Sequence, residues 1–181
     1  IQEINHILPV FLRVAKHFPE RHFLLAAVST IPHVKYSEVK QIPNISLVYE
    51  DTYNLLAHSR AAIVTSGTAT LETALWGVPQ IVVYKTSSFS YLIARLVIQV
   101  PFISLVNLIL NEELIKEFIQ SECTPANIIG ELRKIVEDHE YHDTVKNGYS
   151  RLKEILHEGN VSENAAEKMV NYLIATRKNT S

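Results

Sequence analysis

The chain has 181 residues, 47% hydrophobic and 20% charged, ordinary for a soluble globular protein and enough for a sizeable buried core. With 17 Lys plus Arg against 19 Asp plus Glu the net charge is -2, and no Lys/Arg-rich block tracks a phosphate backbone, which argues against a nucleic-acid partner. The single Cys123 cannot close an internal disulfide and stands in no metal-ligand spacing, so a reducing compartment such as the cytoplasm is expected.

The opening IQEINHILPVF has no basic n-region, cleavage site or initiator Met, and reads as a cut end rather than a natural start. Apolar residues at Ile4, Ile7, Leu8, Phe11, Leu12, Val14 and Ala15 give a helical period over 3–17, with Pro9 near the first turn. HFLLAAV at 22–28 and ISLVY at 45–49 are short apolar runs bounded by polar residues or Pro, and read as buried strands. TYNLLAHSR at 52–60 follows as a short helix. AAIVT at 61–65 is a strand, TATLETALW at 68–76 a helix and QIVVYK at 80–85 a strand. Gly77 occupies the position after a helix end and Pro79 stops its continuation. Strands alternating with helices at this spacing call for right-handed crossovers and a parallel sheet covered on both faces, a doubly wound α/β fold.

The most apolar stretch, 89–110, has the length of a membrane span, about 20 residues. Arg95, Gln99, Pro101 and Asn107 interrupt it, and a buried helix followed by a strand is the expected reading. From 112 onward the pattern predicts helices only, at 112–121, 125–138, 141–157 and 162–177.

Candidate chemistry gathers where the third strand becomes a helix. In an open parallel sheet, ligands bind outside the carboxyl ends of the strands, where helix N-termini collect. Ser66, Gly67 and Thr68 stand at such a place, and a glycine there permits positive φ and close approach to the backbone. The alternative is that Ser or Thr merely caps the helix. Glu72 fits no capping box, since three residues after Ser66 is Ala69 and three after Thr68 is Leu71. One helical turn beyond Thr68, its carboxylate could meet sugar hydroxyls of a ligand whose phosphate sits on the turn, or it could be a solvated first-turn Glu. His139 and His142, beside Asp138 and Asp143, have a spacing that could hold a metal, but a solvated helix junction is the better reading.

The segment TSGTATLETALWGVPQIVVYK, followed by YLIARLV, PFISLVNLI and EFIQSECTP, resembles the lipid-A-disaccharide synthase family, and the resemblance runs from IQEINHILPVFL to about Pro125. It implies half of a GT-B architecture, two Rossmann-like domains facing across a cleft. The chain would be the C-terminal, donor-binding half. Residues 1–125 would form the nucleotide-sugar-binding domain, and 126–181 a helical extension packed on it or on a partner subunit. The implied reaction is inverting transfer of 2,3-diacylglucosamine from its UDP derivative to 2,3-diacylglucosamine 1-phosphate, giving a β-1,6-linked disaccharide and UDP. On this pattern Ser66, Gly67 and Thr68 hold the diphosphate, Glu72 the ribose, and Tyr49, Glu50 and Asp51 surround the uracil.

Asn107, Glu117 and Gln120 match family positions near the cleft, and Lys85 and Arg95 are candidate phosphate cations or else surface side chains. No cofactor or metal is implied, and the sequence carries no Asp-x-Asp. A preceding domain with the general base, a homodimer and peripheral association with the cytoplasmic face of a Gram-negative inner membrane are also implied. The chain departs from the family at Val106, where Pro is usual, and at Leu110, Asn111, Glu112 and Glu113, where Ala-Gly-Arg-Glu is usual. The rival readings are another UDP-sugar GT-B enzyme, such as an N-acetylglucosaminyltransferase or epimerase, and a non-catalytic α/β interaction module.

Overall fold

The computed structural model describes residues 2–32, 36–65, 67–85 and 101–157. Its first element, α1 (Gln2–His17), has Pro9 in its interior rather than in its first turn. A mid-helix proline removes a backbone donor and would ordinarily break the helix. Here packing on two sides carries the helix through: Ile7, Val10 and Val14 join one buried cluster and Leu12 another. The amide of Asn44 then gathers the carbonyls of Ala15, Phe18 and Arg21 at 2.9, 3.0 and 3.1 Å, satisfying acceptors left by the helix end and the turn that follows.

The chain then alternates as expected. β1 (Phe23–Ala27) pairs in parallel with β2 (Ile45–Tyr49), Phe23 opposite Ile45 and Ala27 opposite Tyr49. After α2 (Thr52–His58) come β3 (Ala62–Thr65), α3 (Thr68–Leu75) and β4 (Gln80–Tyr84), and β3 pairs in parallel with β4. The last turn of α3 closes as a Schellman motif: Val78 N–H donates to the Thr73 carbonyl at 3.1 Å and Gly77 N–H to Ala74 at 2.9 Å. Gly77 takes φ 74°, which explains the glycine at that position.

Two expectations fail. Residues 112–121 do not form a helix: β5 (Glu117–Ile119) pairs in parallel with β4, and a 3-10 turn covers Gln120–Glu122. The end of the 89–110 run is a helix rather than a strand, α4 (Leu105–Leu110), capped by Ser104, whose hydroxyl accepts from Asn107 N–H, and stopped at Asn111 with φ 54°. Pairing with the buried β4 overrides the local helical spacing around Glu117–Ile119. The expected helices at 89–100 and 162–177 lie outside the described residues. The chain continues through α5 (Pro125–Glu137), with Thr124 as its cap, and α6 (His139–His157).

β4 is the best-sealed strand, with Gln80, Ile81, Val82 and Val83 at most 1% exposed. Ile81 and Val83 point to one face, against Val10, Val14 and Phe18 of the α1 region and Ile128, Leu132 and Ile135 of α5. Val82 points to the other, against Ala74, Val106, Val145, Tyr149 and Leu152 from α3, α4 and α6. The fold is therefore α/β, Rossmann-like, with helices on both faces of parallel strands. One feature departs from a single sheet: β1 and β2 form one pair, β3, β4 and β5 another sheet, and β1 is not paired with β3.

Candidate functional site

The turn from β3 into α3 is built around Gly67. Its φ of 130° and ψ of -161° belong to a region that essentially only glycine occupies. Gly67 is also the residue that caps α3, so no cap side chain covers the first turn. Its carbonyl is used internally, accepting from Thr70 N–H at 3.2 Å and Thr70 Oγ1 at 2.8 Å. Nothing lies within 4 Å of where a Cβ on Gly67 would stand, so another group can approach the backbone there. Thr68 opens the helix, exposed. Glu72, one turn on, is exposed and makes no side-chain hydrogen bond or ion pair among the described residues. Ser66 lies outside the described residues.

Other predicted residues stand at the carboxyl ends of strands within the two parallel sheets. Tyr49 ends β2 and meets the Tyr36 ring edge-on, centroids 6.5 Å apart. Glu50 follows with φ 55°, and its carboxylate accepts from the Ser29 hydroxyl, tying the loops after β1 and β2 together. Asp51 precedes α2 and accepts from Asn54 Nδ2 at 3.1 Å. Lys85 follows β4, and Gln120, with φ 50°, follows β5, since Tyr84 is opposite Ile119. Arg95 lies outside the described residues. A residue the sequence reading left idle stands close to Lys85: Cys123 is buried, and burial pushes its thiol pKa up against the opposing pull of the Lys85 charge.

Asn107 and Glu117 are used differently. Asn107 is fully buried, and its Nδ2 donates to the Ile115 carbonyl and to Glu117 Oε1, both at 2.8 Å. Its Oδ1 accepts from Leu114 and Ile115 N–H at 3.0 and 3.1 Å, which uses the full capacity of the amide. Glu117 also accepts from Ile103 N–H at 2.8 Å and Ser104 N–H at 3.1 Å. The pair clamps α4 onto β5. Sequence reading found both residues but not this use of them, because the partners are backbone groups 7 to 14 positions away.

His142 Nδ1 is 3.4 Å from Asp143. His139 and His142 share a cavity of about 310 Å³ with Arg60 and Lys146, two cations that oppose a metal ion. Among the described residues no cluster of three or more His, Cys, Asp or Glu could hold a metal, and no helix is long and apolar enough to cross a membrane.

The fold and its rim define a Rossmann-like domain with a glycine turn opening a helix at the carboxyl ends of parallel strands, a class that meets anionic ligands there. A family model described as lipid-A-disaccharide synthetase matches residues 1–172. Similar curated proteins include the lipid-A-disaccharide synthases of Syntrophus aciditrophicus, 36% identical over 91% of this chain, and Nitrosococcus oceani, 34% over 87%. That of Coxiella burnetii is 31% identical over 96%. The chain belongs to the lipid-A-disaccharide synthase family. It spans about half the length of these relatives, 45%, 42% and 46% respectively.

Proposed function

We propose that this chain is the donor-binding half of an inverting glycosyltransferase that moves 2,3-diacylglucosamine from its UDP derivative to 2,3-diacylglucosamine 1-phosphate. The observation that carries the reading is the uncapped turn at Gly67, with Glu72 exposed one turn beyond it, in a chain of this family. Residues 1–125 form the nucleotide-sugar domain, and 126–181 is its helical extension. Ser66, Gly67 and Thr68 receive the diphosphate through backbone N–H groups and hydroxyls at the helix start. Glu72 accepts hydrogen bonds from the ribose hydroxyls, and the loop Tyr49, Glu50 and Asp51 surrounds the uracil. Gln120 stands at the same rim. Asn107 and Glu117 act as positioning residues that fix α4 and β5 beneath it.

In the reaction an acceptor hydroxyl oxygen bonds to the anomeric carbon of the donor as the bond from that carbon to the UDP oxygen breaks, inverting the configuration. A general base in a preceding domain takes the hydroxyl proton. Negative charge gathered on UDP is met by the α3 N–H groups and by Lys85 and Arg95. The UDP-sugar is a substrate, and no cofactor is assigned. Exposed Tyr53 and Trp76, stacked with centroids 5.9 Å apart, and exposed Leu75 give a surface suited to peripheral contact with the cytoplasmic face of an inner membrane. The whole protein is expected to form a homodimer, which light scattering checks.

The test is turnover by the full-length protein. Incubation with the two acylated substrates should yield the disaccharide and stoichiometric UDP. Transfer only from a UDP-sugar lacking acyl chains would replace this reading with another UDP-sugar enzyme, and no UDP release from any donor would sink the enzymatic reading.

A further inference from the structure

The cavity of about 310 Å³ beside α6 lies at the end of the strands opposite Gly67. Arg60 and Pro79, in its wall, stand just before β3 and β4, where Ala62 N–H donates to the Pro79 carbonyl at 2.9 Å. The four residues of β3, about 13 Å of extended chain, separate it from the Gly67 turn. Its lining holds Arg60, His139, His142 and Lys146 and no carboxylate. His139, His142 and Lys146 follow at i, i+3 and i+7 along α6, which sets them on one helix face. Arg60 is anchored by a single donor: Nη2 bonds the Val136 carbonyl at 3.0 Å, and the other N–H groups of its fork are uncommitted among the described residues. The neighbouring carboxylates are engaged elsewhere or only in part: Asp138 accepts from Tyr141 N–H at 3.0 Å, and Asp143 meets Nδ1 of His142 at 3.4 Å, leaving Nε2. Among the described residues the Lys146 ammonium and the His139 ring have no hydrogen-bond or ion-pair partner. Like charges gathered without a counter-charge repel. General basicity does not account for the cluster, since the net charge of the chain is -2.

We infer that this cavity binds a phosphate group, at a site separate from the turn at Gly67. The chemistry selects that ligand. A guanidinium fork held at one corner presents N–H donors matched to phosphate oxygens, the ammonium adds a point charge, and imidazole N–H groups donate to the oxygens that remain. A carboxylate has two oxygens and would leave part of this donor set unmatched, and a metal cation is opposed by Arg60 and Lys146. At about 30 Å³ per water in the liquid, the cavity has room for a phosphate and the first atoms of the molecule that carries it. Two sources offer the group, a soluble phosphate and the headgroup of an anionic lipid. Exposed Leu75 and Trp76 directly precede the Gly77 wall, an apolar surface suited to the second. The site stands whether or not Gly67 receives UDP.

NMR titration of the full-length protein with inorganic phosphate, against sodium chloride at matched ionic strength, tests the site without reference to activity. Saturable shifts should appear at the amides of Gly77, His139 and His142 and at the two imidazole rings, with phosphate and not with chloride. Lys146→Gln, at an exposed position, should weaken phosphate binding roughly tenfold without lowering Tm. Arg60→Gln should weaken it at least as much, while also freeing the Val136 carbonyl. Shifts confined to Gly67 and Thr68, equal shifts with chloride, or a phosphate response unchanged in Lys146→Gln would overturn the inference. Co-sedimentation with phosphatidylcholine vesicles, with and without phosphatidylglycerol, separates the two sources. Binding to the anionic vesicles that falls in Lys146→Gln assigns a lipid headgroup. A phosphate response without Lys146-dependent vesicle binding assigns a soluble phosphate, and silence toward both probes would also overturn the inference.

Discussion

Two polar groups of similar composition, the Asn107–Glu117 pair and the Gly67–Glu72 turn, send their hydrogen bonds to opposite places. Asn107 is buried and every donor and acceptor of its amide is matched inside the chain. Glu72 is exposed, and the cap beside it has no side chain. A closed polar cluster contributes stability and fixes geometry, while an open one leaves its interactions for a ligand. Residue type alone does not distinguish them.

Mutations should separate the two. Asn107→Ala strands the N–H groups of Leu114 and Ile115 in the core and should destabilise the full-length protein by about 3 kcal/mol, read by denaturant unfolding. A loss below about 1 kcal/mol would mean that the cluster is not a clamp. Gly67→Ala meets no steric obstacle, since space around the position is open, but it forces a side chain into backbone angles reserved for glycine. It should cost about 1 to 2 kcal/mol of stability and weaken UDP binding. Glu72→Ala should leave stability within about 0.5 kcal/mol of the parent while raising the donor KM roughly tenfold, with a smaller effect on kcat. An unchanged donor KM would remove Glu72 from the ribose.

A pH experiment probes the closed side. Tyr149 is buried and Tyr141 half-buried, and the pKa of each is raised, chiefly by desolvation; the Glu131 carboxylate bonded to Tyr141 adds to its shift. A folded pKa above the unfolded value means that the native state binds more protons, so this contribution is complete below about pH 10 and lost as pH rises through the folded values. The protein should therefore weaken under alkaline conditions. Tyr149→Phe should flatten the alkaline limb while keeping the bond from the Gln80 side-chain amide to the Thr70 carbonyl at 2.8 Å. An alkaline limb of unchanged slope would contradict this assignment.

Much of the architecture was legible because apolar runs such as Ile45–Tyr49 and Gln80–Tyr84 are bounded by residues that end strands, and because Gly67 and Gly77 sit where the backbone needs positive φ. β5 was missed because three residues are too short for a strand period to register, and its pairing with β4 comes from distant chain. α4 was missed for a related reason: its start is fixed by Ser104 and by Glu117 from 13 positions away. The rim residues Tyr49, Glu50 and Asp51 could be placed because a parallel strand order sends every β-to-α loop to the same end. The gap between β1 and β3 could not, since strand adjacency is a tertiary property.

The most direct measurement is an NMR titration of the full-length protein with UDP. Saturable shifts are expected at the amides of Gly67, Thr68 and Glu72, with Leu114 and Ile115 unmoved. Shifts confined to Leu114 and Ile115, or none at Gly67 at millimolar UDP, would contradict it.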